Sequence, residues 1–242
     1  MSLNSELKNL KFLLNSGISE FIQNIPNPIY QTKKDKKEIK NSGKIKNIAD
    51  IQTSSELKEF IKNSSVCALK KSAIQTVVSD GNSSSKIMLI GEAPGAEEDK
   101  YGKPFVGRGG QLLDKMLAAI GLDRNKVYIS NVVPWRPPGN RQPTTEEILQ
   151  CLPFIQKHIE IINPSILILL GGTAAKALLT TNQGITKLRG TWHQYNSLGL
   201  SNPIFTRAIF HPAFLLRSPG YKKQTWEDLL EIQKKIKLNE IN

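Results

Sequence analysis

Short apolar segments alternate with stretches of helical periodicity from Lys86 towards the end of the chain. The candidate strands are 86–91, 126–133, 165–171 and 204–210, and the candidate helices are 109–120, 144–162, 172–180 and 223–236. Parallel neighbours need crossover connections, so this alternation predicts a three-layer αβα sandwich around a central, mostly parallel four-stranded sheet. Ligands of such α/β folds bind beyond the carboxyl ends of the strands. We therefore expect the functional residues in the loops that follow each strand.

The first 80 residues have a different composition from the rest. Apolar positions at helical spacing over 3–24, ended by Pro26 and Pro28, predict a helix. The stretch 32–46 carries seven lysines and almost no apolar residue, which is typical of a mobile linker, contact with DNA phosphate being the alternative. The predicted divisions are a helical extension at 1–30, a lysine-rich flexible linker at 31–53 and a folded domain at 54–242.

Charge and composition restrict the partners. Thirty-three Lys and Arg against 21 Asp and Glu give a formal net charge of +12, which favours a polyanion such as nucleic acid or anionic lipid, although a solvated basic surface explains it too. The 39% apolar content excludes a fully disordered chain. No apolar stretch reaches the roughly 18 residues that span a bilayer, and the N-terminus lacks a signal-peptide core. We expect a soluble, cytoplasmic protein without a membrane partner.

The loop after the first strand begins Gly91-Glu92-Ala93-Pro94-Gly95 and leads through an acidic turn at 97–99 to Pro104-Phe105 and a helix. Gly and Pro let a backbone approach a ligand, and a helix N-terminus offers N–H donors to an anion. The spacing matches neither dinucleotide-binding nor phosphate-loop motifs. On spacing alone, the acidic turn is either part of a site or solvated, and Phe105 is either part of a site or a core residue.

Two other strands end in residues of chemical interest. Asn131 closes the second strand, where its amide either reads the edge of a heterocycle or caps the loop. The fourth strand leads into the segment 211–217, which has the sequence HPAFLLR. Its histidine is either a catalytic imidazole beside an apolar wedge for DNA base steps or an ordinary helix start.

Taken together, GEAPG, PFVGRGGQLL, SNVV before RPPGNR, and HPAFLLR resemble, in this order and spacing, the family 4 uracil-DNA glycosylases of the uracil-DNA glycosylase superfamily. The resemblance covers roughly residues 64–236 and implies that family's fold. The catalytic residues it implies are Glu92, Glu98, Asn131 and His211. The substrate-binding residues it implies are Ala93, Pro94, Gly95, Phe105 and Asn140. The DNA-binding residues it implies are Arg141, Leu215, Leu216 and Arg217.

The activity implied by the resemblance is base excision repair of deoxyuridine. The enzyme would flip the nucleotide out of single- or double-stranded DNA and hydrolyse its N-glycosidic bond, leaving an abasic site. In some superfamily members an Asp at the position of Ala93 serves the attacking water. Because this chain lacks that Asp, the resemblance leaves Glu92 or Glu98 to orient the water. We favour Glu92 for organising the loop and the water, while Glu98 alternatively excludes a 5-methyl group. No motif lysine suggests a Schiff base, so we expect a monofunctional, monomeric enzyme, the alternative being a catalytically weakened uracil-DNA-binding protein.

The cofactor of the family requires four cysteines, because its members are associated with a [4Fe–4S] cluster. The aligned positions here are Ser64, Cys67, Trp135 and Cys151. Two thiolates cannot complete a cubane cluster. We therefore expect no cofactor and no metal, with Cys67 and Cys151 as vestigial cluster positions and Trp135 filling the vacated volume.

Overall fold

The structure is a computed structural model, and it describes residues 47–238 of the chain. The predicted helical extension at 1–30 lies outside the described residues, as does most of the predicted linker at 31–53. Within the described part, no helix combines the length and the apolar character that a bilayer crossing requires.

A six-stranded sheet forms the middle layer, with the spatial order β1-β3-β2-β4-β6-β5. The strands are β1 Ser79–Gly81, β2 Ile87–Gly91, β3 Tyr128–Asn131, β4 Ile166–Leu170, β5 Trp192–Tyr195 and β6 Ile204–Ile209. The inner four strands β3, β2, β4 and β6 run parallel, and they are the four strands predicted from the sequence. The two edge strands, β1 and β5, pair antiparallel with their neighbours and were not predicted. The sheet therefore has six strands, not four.

Eight α-helices in the described part surround the sheet. They are α1 Ser54–Asn63, α2 Ala96–Tyr101, α3 Arg108–Ala119, α4 Thr145–Ile162, α5 Gly172–Leu179, α6 Ile185–Leu188, α7 Pro212–Arg217 and α8 Lys222–Leu238. Helix α4 shows how local chemistry sets a boundary, since Thr144 and Glu147 form a reciprocal capping box at its start. At its other end Asn163 adopts the left-handed conformation that terminates many helices.

Side chains on the two faces of the sheet form separate hydrophobic clusters. Met88 and Ile90 of β2 belong to the cluster that includes α1, α4 and α5. Ile87 and Leu89 belong to the cluster on the other face, which includes α3 and α8. Because successive strand residues point to opposite faces, burial on both sides explains why β2 is apolar throughout. The three-layer α/β sandwich is confirmed.

The folded domain begins earlier than residue 54. Ile51 lies within the predicted linker, yet its side chain is fully buried in the α1/α4 cluster. Lys157 of α4 donates a hydrogen bond to the carbonyl of Ala49 at 3.2 Å. Residues 47–53 therefore pack as part of the domain. The isoleucines here, Ile48 and Ile51, lie directly after the lysine-rich stretch, and the prediction placed them in the linker because of that neighbouring composition.

Candidate active site

A cavity of about 740 Å³ lies at the carboxyl ends of the four parallel strands. Its walls come from the loops that follow β2, β3, β4 and β6, as expected for this fold class. The predicted catalytic and substrate-binding residues all line it, namely Glu92, Glu98, Asn131, His211, Ala93, Pro94, Gly95, Phe105 and Asn140. The fold therefore gathers side chains that are up to 119 positions apart in sequence around one volume.

Glu98 holds the first loop in shape. Its Oε1 accepts hydrogen bonds from the backbone N–H groups of Val106 and Gly107 at 2.9 and 2.8 Å. Its Oε2 accepts from Gly95 N at 3.1 Å. Since backbone donors engage both oxygens, Glu98 ties the loop after β2 to the segment that carries Phe105. The loop-organising role that we expected of Glu92 belongs to Glu98.

Glu92 is half-buried at the end of β2 and faces the cavity. The hydroxyl of Thr173, in the first turn of α5, donates a hydrogen bond to Glu92 Oε2. No described residue donates a hydrogen bond to Oε1, which leaves that oxygen available to a ligand or a water. Thr173 also lines the cavity, and sequence analysis missed it. The sequence feature that could have identified Thr173 is its position directly after Gly171-Gly172, at the end of a predicted strand.

Asn131 presents an unused acceptor to the cavity. The residue is 5% exposed, and its Oδ1 is buried without a hydrogen-bond partner among the described residues. Leaving a buried polar atom unpaired costs about 1–3 kcal/mol, so such atoms in native structures call for an explanation. A Cβ at Gly91 would lie 2.5 Å from both this oxygen and the Phe105 ring. The glycine is what allows ring and amide to approach each other.

His211 is held as a neutral imidazole beside the ring of Phe105. The two ring centroids lie 5.6 Å apart with an angle of 30° between the planes. His211 Nδ1 accepts a hydrogen bond from Ala213 N at 3.2 Å, which places the ring proton on Nε2. The pKa of His211 is lowered to about 4, chiefly by burial and also by Arg217, while Glu98 opposes the shift. At neutral pH the group is therefore an uncharged Nε2–H donor.

The predicted DNA-binding residues occupy different environments. Leu215 is 1% exposed and belongs to the core cluster, so its predicted role as a wedge is wrong. Leu216, its neighbour on α7, is 38% exposed and remains accessible. Arg217 is exposed and lines the cavity. Arg141 also lines it, but its two terminal nitrogens bind the Glu147 carboxylate at 2.8 and 2.6 Å, so this guanidinium is not a free cation.

Asn140 lies at the rim of the cavity in a short turn. Its φ of 56° is in the left-handed region. Its Oδ1 accepts a hydrogen bond from Arg136 Nε at 2.7 Å, and Arg136 in turn approaches the buried carboxylate of Asp99 at 3.8 Å. Asn140 therefore shapes the rim through its backbone and its contact with Arg136. Exposed Arg108 adds a cation to the lining that sequence analysis did not single out.

The positions aligned with cluster ligands do not fit a [4Fe–4S] group. Cys67, Cys151 and Trp135 are all buried in one hydrophobic cluster. Trp135 contacts Phe154 edge-on at 6.1 Å between centroids and donates a hydrogen bond to Thr76 at 3.0 Å. Burial raises the pKa of the Cys151 thiol, and the neighbouring Cys67 raises it further, which opposes thiolate formation. Where a cubane cluster would need four thiolates, this chain has two buried cysteines and a packed indole.

Comparison with known proteins identifies the family of the chain. Residues 78–230 match the family model described as the Uracil DNA glycosylase superfamily, and the chain therefore belongs to this superfamily. It is 44% identical to the Type-4 uracil-DNA glycosylase of Thermotoga maritima over 161 residues, which cover 66% of this chain and 81% of the relative. It is 38% identical to the Type-4 uracil-DNA glycosylase of Pyrobaculum aerophilum over 178 residues, covering 72% and 90%. A Type-5 uracil-DNA glycosylase of the same organism is 28% identical over 167 residues, covering 63% and 71%.

Proposed function

We propose that this protein is a monofunctional uracil-DNA glycosylase that removes uracil from single- or double-stranded DNA and leaves an abasic site. The observation that carries the proposal is the buried, unpartnered Oδ1 of Asn131 in a cavity shared with Phe105 and neutral His211. The names of its Type-4 relatives support the uracil-DNA glycosylase activity in this proposal.

Base recognition follows from the donor and acceptor pattern of a primary amide. Asn131 Oδ1 can accept the N3–H of uracil, while its Nδ2 can donate to O4. Cytosine has no N3–H and carries an amino group at position 4, so the amide in this orientation would face two mismatched groups. Phe105 supplies an aromatic face on which an extruded base can stack. Uracil therefore satisfies the buried acceptor that the folded protein leaves without a partner.

Bond cleavage needs charge stabilisation on both sides of the C1′–N1 bond. When the bond breaks, its electron pair stays with uracil and the sugar acquires positive charge. The Nε2–H of His211 can donate to the developing uracil anion, in the manner of an oxyanion-hole donor. The Glu92 carboxylate, oriented by Thr173, can hold a water that attacks C1′. As the new C–O bond forms, the water passes a proton to this carboxylate, and the uracil anion departs with the electron pair of the broken bond.

Hydrolysis is favoured over lyase chemistry by the lining of the cavity. None of its lining residues within 47–238 is a lysine, and a lyase step needs an amine to form a Schiff base. Water is then the nucleophile that the site can supply. A monomer suffices for this chemistry, because every group it uses comes from one chain.

We also propose that the protein acts without an iron–sulfur cluster. The support is the packing of Trp135 with Cys67 and Cys151 in one hydrophobic cluster, where burial raises the pKa of the Cys151 thiol. Iron and sulfide analysis of anaerobically purified protein is expected to give neither element. A value of about four iron atoms per chain would contradict this proposal.

The test of activity uses oligonucleotides that differ at one base. Wild-type protein is expected to release free uracil from a U-containing strand, alone or annealed to G or A, and nothing from T- or C-containing controls. The product strand should be cleaved only after alkali treatment, because no lyase step occurs. Binding of the U-containing strand without release of uracil would contradict the proposal. Cleavage of the strand by the protein before alkali treatment would contradict it too.

A further inference from the structure

Phe105 carries the ring on which the base is expected to stack, and its backbone has an intrinsically unfavourable conformation. Its φ is 55°, in the left-handed region that side chains with a Cβ rarely adopt. Such residues persist only where the surroundings hold them in place. The contacts around Phe105 therefore bear on how its ring meets a substrate.

Arg124 makes those contacts from outside the cavity. It lies between α3 and β3, and its guanidinium donates to the carbonyl of Pro104 at 3.1 Å and to the carbonyl of Phe105. These two carbonyls flank the strained φ of Phe105. A guanidinium presents several donors in a fixed plane, so one side chain can fix two consecutive peptide groups.

Two carboxylates fix Arg124 in turn. Asp80, in β1, accepts from Nη1 at 2.8 Å, and Asp114, in α3, accepts from Nε at 2.8 Å. The Arg124 side chain is 24% exposed, so these pairs are partly shielded from solvent. Arg124 thus connects the edge strand β1, helix α3 and the segment carrying Phe105.

The first turn of α3 closes the remaining side of this segment. A Cβ at Gly110 would collide with the carbonyl oxygen of Phe105. The carbonyl is therefore enclosed by α3 and Arg124, while the ring at the other end is packed over Gly91. Loss of the Arg124 donors would leave a buried carbonyl unpaired and let the left-handed residue relax, which would move the ring.

We propose that Arg124 is a positioning residue for uracil excision that acts by holding Phe105 in its stacking conformation. The proposal rests on the proposed function, because it concerns the ring expected to stack on the extruded base. Arg124 is absent from the cavity lining and donates to the carbonyls on both sides of the Phe105 φ angle, so we expect its effect to reach the substrate through Phe105. It follows that Arg124 matters only when the Phe105 ring is present.

A double-mutant cycle tests this dependence. The rate of uracil release is measured with excess enzyme for wild type, Arg124→Met, Phe105→Ala and the double variant, below the unfolding temperature of each. Stacking of one base on an aromatic ring is worth a factor of roughly 5 to 150, so each single variant is expected to lose at least about fivefold. The double variant should lie within about twofold of Phe105→Ala, as coupled residues do. The affinity for uracil-containing DNA should change less than the rate.

Controls separate positioning from a general loss of charge or stability. Lys115→Met removes an exposed cation from the same helix that carries Asp114 and is expected to keep the wild-type rate. Arg124→Lys keeps the charge without the planar fork and should resemble Arg124→Met; it replaces that variant in the cycle if Arg124→Met does not fold. Losses that multiply in the double variant, or a folded Arg124 variant with the wild-type rate, would overturn the inference. An inactive wild type would instead refute the proposed function itself, and the inference with it.

Discussion

Replacement of His211 by alanine should remove most of the rate of uracil release while leaving DNA binding largely intact. Because Ala213 N occupies Nδ1, the single N–H that His211 can offer is on Nε2. Removing one donor of this kind from an oxyanion-type site costs about 2.7–4 kcal/mol, or roughly 10²–10³ in rate. His211→Asn, which keeps an N–H donor, should recover part of the loss. His193→Ala is the matched control, because His193 contacts Leu188 away from the cavity.

The pH dependence tests the charge state of the same imidazole. Burial lowers the pKa of His211 to about 4, so the donor is neutral throughout the range from pH 5 to 8, and its contribution to the rate should be constant there. An imidazolium acid with the ordinary pKa of about 6.5 would instead lose effect above that pH. The assay is release of uracil by excess enzyme across this range. A wild-type rate that falls tenfold per pH unit above 6.5, or a folded His211→Ala variant within tenfold of wild type, would refute the reasoning.

Three further predictions concern specificity, loop order and stability. Asn131→Ala should abolish uracil release yet shift the unfolding temperature little, because Oδ1 has no partner to lose; a large shift in a thermal melt would show a structural role instead. Glu98→Ala should destabilise the protein by about 1–3 kcal/mol in urea unfolding, since it leaves three backbone donors unpaired, whereas an unchanged midpoint would contradict the loop assignment. Burial lowers the pKa of His158 to about 3 and that of His211 to about 4, so the unfolded chain binds more protons below pH 6.5. Stability should therefore be fully present above pH 6.5 and fall by a few kcal/mol as pH drops towards 4, and a stability that rises on acidification would contradict the buried neutral state.

The centre of the sheet was predictable because two of its strands, β2 and β4, are almost entirely apolar. Segments such as 166–170 are buried on both faces and contain no polar residue, so their pattern needs no context to be recognised. The edge strands β1 and β5 have the sequences SDG and WHQY. These two sequences contain no local pattern that predicts a strand. They form strands because they pair with the neighbouring strands β3 and β6.

The site was predictable as a set of loops but not as a set of contacts. Motif residues such as Asn131 and His211 line the cavity as expected. The burial of Leu215 depends on how α7 is rotated against the core, which a short helix does not encode in its own periodicity. The pairing of Arg141 with Glu147 depends on the turn between them. Arg124 lies outside every motif, and only the folded chain places it beside Phe105.

The central claim is that the chain excises uracil with its own side chains and without a cluster. The most direct measurement determines free uracil and iron on one preparation of anaerobically purified wild-type protein, using a U-containing oligonucleotide and mass spectrometry for the base. The account predicts stoichiometric release of uracil by protein that contains no iron. Release that tracks the iron content of successive preparations, or none from folded protein that still binds the oligonucleotide, would contradict it.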